Sequence, residues 1–156
     1  MLRNSIAGIA SLGLLLLLGA TENVVAQQIE VFGGNQTLVI NTGAAGSEPV
    51  PVVNTANTLQ YRRQGVISKI TVRTACPTQA FNLSVVATGV VRGIAAPTVD
   101  LVNGMAATDF ITSIPNFGFF STTVTLQYTA SATFAQGRRN EEGNDVHTVT
   151  YTILAQ

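Results

Sequence analysis

The sequence predicts an all-β fold, a two-layer antiparallel β-sandwich, Ig-like or jelly-roll-like, of about seven to nine strands. Three observations predict it. Residues 122–134 alternate strictly, with Val124, Leu126, Tyr128, Ala130, Ala132 and Phe134 on one side and Thr123, Thr125, Gln127, Thr129, Ser131 and Thr133 on the other. That period of two is the mark of a strand with one dry and one wet face, and it makes this stretch the expected central strand. Shorter alternating segments elsewhere are separated by turn signals such as Gly33-Gly34-Asn35 and Asn103-Gly104. Finally, no strongly amphipathic helix follows residue 26. A barrel of similar strand number is the alternative.

Residues 1–26 read as an export address. Arg3 supplies a positive start, residues 6–19 form an apolar run containing five consecutive leucines, and Val24-Val25-Ala26 precedes an expected cleavage between Ala26 and Gln27. The run falls short of the roughly 20 apolar residues of a membrane span, so the expectation is a cleaved signal and a secreted or cell-surface protein. No Cys lies near Gln27 to carry a lipoprotein anchor. What remains, about 130 residues, suffices for one domain with its own core. The chain has 8 basic and 8 acidic residues, and only 10% of it is charged. Neutrality gives no electrostatic case for nucleic acid or anionic lipid, and no membrane span is expected after the signal is removed. A surface of Thr, Ser, Asn, Gln and Ala repels neighbouring copies weakly, which suits a protein that associates and equally an ordinary secreted domain.

In chain order, residues 27–32 alternate with Ile29 and Val31 on one face, and residues 36–41 alternate with Leu38 and Ile40 together. These two pieces are expected to form either a hairpin or one extended N-terminal arm over 27–41, and to pair within their own sheet rather than with a neighbouring copy. Residues 42–51, with Gly43, Gly46, Pro49 and Pro51, read as a loop. A strand follows over 52–61, then a turn at 62–65. Residues 66–74 form a clear strand with Ile70 and Val72 inward and Lys69, Thr71 and Arg73 outward. Cys76-Pro77-Thr78 breaks it. Phe81, Leu83, Val85 and Ala87 then share a face opposite Asn82, Ser84 and Thr88. Gly93 and Pro97 punctuate 89–97, and 98–102 is a short strand before the hairpin signal Asn103-Gly104. Residues 107–114 are a strand or a helical turn capped by Thr108 or Asp109. The loop 115–120 carries Phe117, Phe119 and Phe120, which either cover the open end of the sandwich or form an apolar contact surface. In the central strand, a bend or bulge is expected near 130–132, where side chains are small. Residues 136–145 hold Arg138, Arg139, Glu141 and Glu142 and should form an exposed loop, and 147–155 closes the chain with Val149, Tyr151 and Ile153 on one face. Thr58-Leu59-Gln60-Tyr61 recurs as Thr125-Leu126-Gln127-Tyr128, but the flanks do not match over the length that a structural repeat needs.

Catalytic chemistry is sparse. The single histidine, His147, shares a strand face with Asp145, which is expected to be a wet-face pair at the edge of a charged loop. No Gly-x-Ser-x-Gly elbow accompanies it, and no local signature supports a Cys76–His147 dyad. One His and one Cys make zinc improbable by ligand count, and Arg138 and Arg139 oppose cation binding by Glu141, Glu142, Asn144 and Asp145. No cofactor is expected. Cys76, the only cysteine, has no intrachain partner and is expected to be a buried thiol near a turn, with an intermolecular bridge as the alternative. There is no Trp for a sugar-binding platform. Asn35-Gln36-Thr37 and Asn82-Leu83-Ser84 match the glycosylation sequon, which matters only for a eukaryotic source.

The signal-like start, the alternating arm over 27–41, the Thr-rich strands and the closing Val149-Thr150-Tyr151-Thr152-Ile153 resemble small secreted bacterial surface subunits of the fimbrial or spore-coat-U-like kind. The likeness lies in layout and not in a motif. It implies an incomplete sandwich completed by a strand from a neighbouring copy, giving filaments or coats. The unpaired Cys76 departs from the paired disulfide usual in chaperone-assembled pilins, so the assembly route is not carried over. Two functions follow as expectations. The first is a non-enzymatic structural subunit that self-associates, or joins other surface subunits, through Ile29, Val31, Leu38 and Ile40. The second is a monomeric module binding glycan or protein through loops 115–120 and 136–145, that is Phe117, Phe119, Phe120, Arg138, Arg139, Glu141 and Glu142.

Overall fold

The computed structural model describes residues 27–63, 65–137 and 144–156. Within them the chain runs β1 (Gln27–Phe32), β2 (Val52–Arg63), β3 (Ser68–Ala75), β4 (Asn82–Thr88), β5 (Ile94–Ala95), β6 (Val99–Asp100), β7 (Thr108–Ile114), β8 (Thr122–Ser131), a one-turn helix α1 (Phe134–Gly137) and β9 (Thr148–Ala155). The strands form two antiparallel sheets, one ordered β1-β2-β8-β4-β6 and the other β5-β7-β3-β9. After β2, every successive strand lies in the opposite sheet. That winding is jelly-roll-like, whereas an Ig layout keeps several consecutive strands in one sheet. β8 occupies the middle of the five-stranded sheet, as its alternation requires.

The core forms where the inward faces meet. Leu59 and Tyr61 of β2, Val85 and Ala87 of β4, and Val124 and Leu126 of β8 face Ile70 and Val72 of β3, Phe110, Ile111 and Ile114 of β7 and Ile153 of β9. Fully burying each large apolar side chain stabilises the fold by about 1.5–3 kcal/mol. The sheets are also bridged by a polar contact. The Tyr128 and Tyr151 hydroxyls sit 2.9 Å apart, linking β8 to β9, and Tyr151 packs against Phe110 with ring centroids at 5.3 Å. The recurring Thr-Leu-Gln-Tyr segments are neighbours on β2 and β8, with Thr58 opposite Thr125. Leu59 and Leu126 are both buried, so the echo reflects two paired strands of one sheet facing the same core.

Several elements differ from the sequence reading. Residues 36–41 form no strand, and 33–51 run without a ladder between β1 and β2. The reason lies at Asn57, whose Nδ2 donates to the carbonyls of Phe32 and Gly34 and so ends the β1 ladder with a side chain. Gly33 turns the chain away at φ 108°, where an added Cβ would stand 2.7 Å from the Ala56 carbonyl oxygen. Arg62 and Arg63, expected in a turn at 62–65, belong to β2, which continues to pair Arg63 with Gln27. Val66 and Ile67 are exposed and precede β3. Thr71 keeps the outward parity expected of it but is buried in a strand flanked on both sides.

Asn103-Gly104 closes a turn, with Met105 N–H donating to Val102 O, yet it joins strands of opposite sheets and so makes no hairpin. Residues 108–114 are strand. The bulge is on β2, opposite β8: the register shifts between Asn54 and Asn57 while β8 stays regular to Ser131. Asn54 Oδ1 accepts Ala56 N–H at 2.9 Å and stabilises that extra residue. β7 shows two further register shifts against β3, one beside Ser113, the non-glycine residue at φ 53°.

Candidate functional site

The two flanks of the sandwich are built differently. On one flank β1 and β9 are the edge strands, with six and eight residues; on the other, β5 and β6 have two each. A strand edge presents unpaired N–H and C=O groups, and natural edges are blunted by brevity, charge, proline or bulges. β5 and β6 are short, Gly93 and Pro97 flank β5, and Asp100 puts a charge on β6. β1 carries one charge, Glu30, and β9 carries no charge and no proline.

Of the residues expected to mediate assembly, Ile29 is half-buried against the core. Val31 faces inward beside Leu59 but keeps 44% of its surface exposed, since among the described residues no strand pairs beyond β1. Phe32, on the outer face, and Val53 on β2 are also exposed. Leu38 and Ile40 lie in the ladderless segment, half-buried, and Ile40 lines a recess of about 440 Å³ with Pro49 and Phe134. Sequence reasoning missed a further feature of this flank. Arg63, opposite Gln27, is 3% exposed, and its Nε and Nη1 have no hydrogen-bond partner among the described residues. Burying a guanidinium without full pairing is costly.

The phenylalanine loop divides. Phe117 is buried, edge-on to Tyr61 with centroids 6.4 Å apart, and the Arg92 guanidinium lies 4.6 Å above its ring. Tyr61 donates to the Arg92 carbonyl at 2.6 Å. These three groups close one end of the sandwich, and burial pushes the Tyr61 phenol up to about 12, partly offset by Arg92. Phe119 and Phe120 are 80% and 73% exposed. Arg138, Arg139, Glu141 and Glu142 lie outside the described residues.

At the opposite end the fold gathers Cys76, Asp145 and His147, whose ligand-type atoms lie within 4.8 Å of one another. β3 and β9 run antiparallel with Ala75 opposite Thr148, so the residue after one strand meets the residue before the other. Asp145 accepts hydrogen bonds from the backbone N–H groups of Ala80 and Phe81 at 2.8–3.0 Å, which fastens it to the turn after Cys76. His147 Nδ1 is 3.2 Å from Thr74 Oγ1. Burial holds the imidazole below its usual 6.5, with Asp145 opposing that shift. Cys76 has no exposed surface, and its N–H donates to Asn103 Oδ1. Gln79 ties the same turn to 101–103 through bonds to Asn103 N–H and Leu101 O. The i, i+2 relation of Asp145 and His147 was readable; the approach of Cys76 depends on strand register, which no local pattern encodes.

Among the described residues no helix is long and apolar enough to cross a membrane. No family model, curated protein or solved structure matches the chain.

Proposed function

We propose that the protein is a secreted, non-enzymatic surface-assembly subunit whose copies join by β-strand pairing along the flank formed by β1 and β9. The observation that carries this reading is the contrast between the two flanks, with long, weakly guarded edges on one and two-residue edges on the other. Main-chain hydrogen bonds along such an edge supply affinity, and apolar side chains beside it supply register. Val31 and Phe32 sit at that position with partly open surfaces.

Exchange of β1 between copies is a second route along the same flank. β1 hangs on residues 33–51, which form no ladder, and a segment of that length can reach a neighbour.

Light scattering after size exclusion, with negative-stain imaging of the same sample, tests the reading. Ladders or filaments are expected, and a monomer at all concentrations would overturn it. In that event the exposed Phe119 and Phe120 favour a monomeric binding module for a glycan or protein ligand.

A further inference from the structure

We infer that Cys76, Asp145 and His147 form a zinc-binding site, with the three side chains as ligands and a fourth position open to water. Zinc takes thiolate, imidazole and carboxylate ligands in tetrahedral geometry, and sites with three protein ligands keep one open position. The three ligand-type atoms lie within 4.8 Å of one another, and zinc bonds of about 2.0–2.3 Å set the corners of a tetrahedron about 3.3–3.8 Å apart, so binding requires the side chains to close in by about 1 Å. A thiolate and a carboxylate together balance the charge of a divalent ion, which suits a half-enclosed site.

Each ligand is held from behind, as metal ligands are. Thr74 Oγ1 meets His147 Nδ1 at 3.2 Å and fixes the ring. Ala80 and Phe81 N–H groups fix the Asp145 carboxylate. Asn103 fixes the Cys76 backbone through its N–H. A recess of about 370 Å³, lined by Cys76, Gln79, Ala80, Asn103 and Gln136, lies on the Cys76 side of the cluster. Binding releases the Cys76 thiol proton to solvent and involves no redox step.

The site lies at the start of β9, but zinc binding and oligomeric state are read by different measurements, so its failure and the failure of the assembly reading are separable. The test is titration of the reduced, metal-free protein with zinc chloride by calorimetry, and with cobalt(II) by absorbance. One equivalent of zinc is expected to bind, and cobalt is expected to show a sulfur-to-metal charge-transfer band with the strong visible absorption of a tetrahedral ion. Cys76→Ser should abolish the charge-transfer band, and His147→Gln should abolish stoichiometric zinc binding. Thr74→Val, which loosens only the support of the ring, should weaken zinc by about 10- to 100-fold. Circular dichroism of each variant checks that the sandwich is intact; Asp145→Asn is avoided because Asp145 also holds the 76–81 turn. Absence of zinc binding to the folded wild-type protein, or binding unchanged in folded His147→Gln, would overturn the inference.

Discussion

The flank carrying β5 and β6 and the flank carrying β1 and β9 belong to the same two sheets, yet they end in opposite ways. β5 and β6 are cut to two residues each, and the chain between and around them is folded into the core through Val99, Leu101 and the packed Ala95 and Ala96. β1 and β9 keep three to four times that length, with a single charge between them. The contrast is one of edge protection: short strands docked by their neighbours present few unpaired backbone groups, and longer strands with one charge between them present more.

Two glycines put the comparison to a mutational test. Gly93 precedes β5 at φ 107°, and an added Cβ would lie 2.8 Å from both Ile111 Cγ2 and the Thr112 carbonyl oxygen. Gly33 follows β1 at φ 108°, and its Cβ would lie 2.7 Å from the Ala56 carbonyl oxygen. Each alanine substitution brings backbone strain of about 1–3 kcal/mol. Gly93→Ala adds overpacking against the core of about 1–3 kcal/mol, so its urea midpoint should fall most of all. Gly33→Ala can relieve its clash by releasing β1. We expect hydrogen exchange to quicken in β1 and the protein to shift toward larger oligomers, while the β3–β7 core keeps its protection. Equal, global loss of protection in both variants would mean that the flanks are not different in kind.

How much of this was legible follows the range of the signal. The central strand as far as Ser131, the inward faces of β3, β4 and β9, and the sandwich class were readable because alternation is local, whereas Phe134, read on the dry face of that strand, lies exposed in α1. The end of β1 was not, because it depends on Asn57, 25 residues away, reaching the Phe32 carbonyl. The bulge was expected where β8 has small side chains and appears instead on its partner β2, where an Asn54 side-chain bond stabilises the extra residue. Asn103-Gly104 makes a true turn, but which sheet its two arms join is settled by the core. In the cluster at the far end, Asp145 and His147 are near neighbours in sequence, whereas Cys76 is brought to them by the β3–β9 ladder.

Smaller effects arise from the tyrosines that hold β9 and the end of β2 to the core. Tyr151→Phe removes the bond between hydroxyls 2.9 Å apart and leaves Tyr128 without that partner. A loss of about 1–3 kcal/mol in chemical unfolding is expected. Burial raises the phenols of Tyr61, Tyr128 and Tyr151, Tyr61 to about 12 from 10.0. The sign follows directly. In the folded state Tyr61 keeps its proton where the unfolded chain has lost it, so its contribution is complete below pH 10 and is lost as pH rises from about 10 to about 12. These three are all the tyrosines in the chain. The native protein should therefore show little phenolate absorbance at pH 10, and its appearance should coincide with unfolding. A normal titration of any one of them would show that its end of the sandwich is open.

The mildest substitutions sharpen the contrast between the flanks furthest, because they leave the free subunit almost unchanged. Val31 points inward beside Leu59 at the open margin of β1, and Thr152 lies outward and exposed on β9. A lysine at either place can reach solvent in the isolated subunit, so stability should move by only about 0.5 kcal/mol. Once another strand is laid alongside, the lysine at 31 would be enclosed between apolar faces, and the burial that was harmless becomes a charge without a partner. Loss of oligomers in Val31→Lys with Thr152→Lys unaffected would assign the contact to β1, and the reverse result would assign it to β9. Lysines placed on the short β5–β6 flank, for example at exposed Ile94, should leave association untouched. If the Ile94→Lys variant dissociates the assembly and Val31→Lys does not, then strand length and charge are the wrong guide to which side of this sandwich is open.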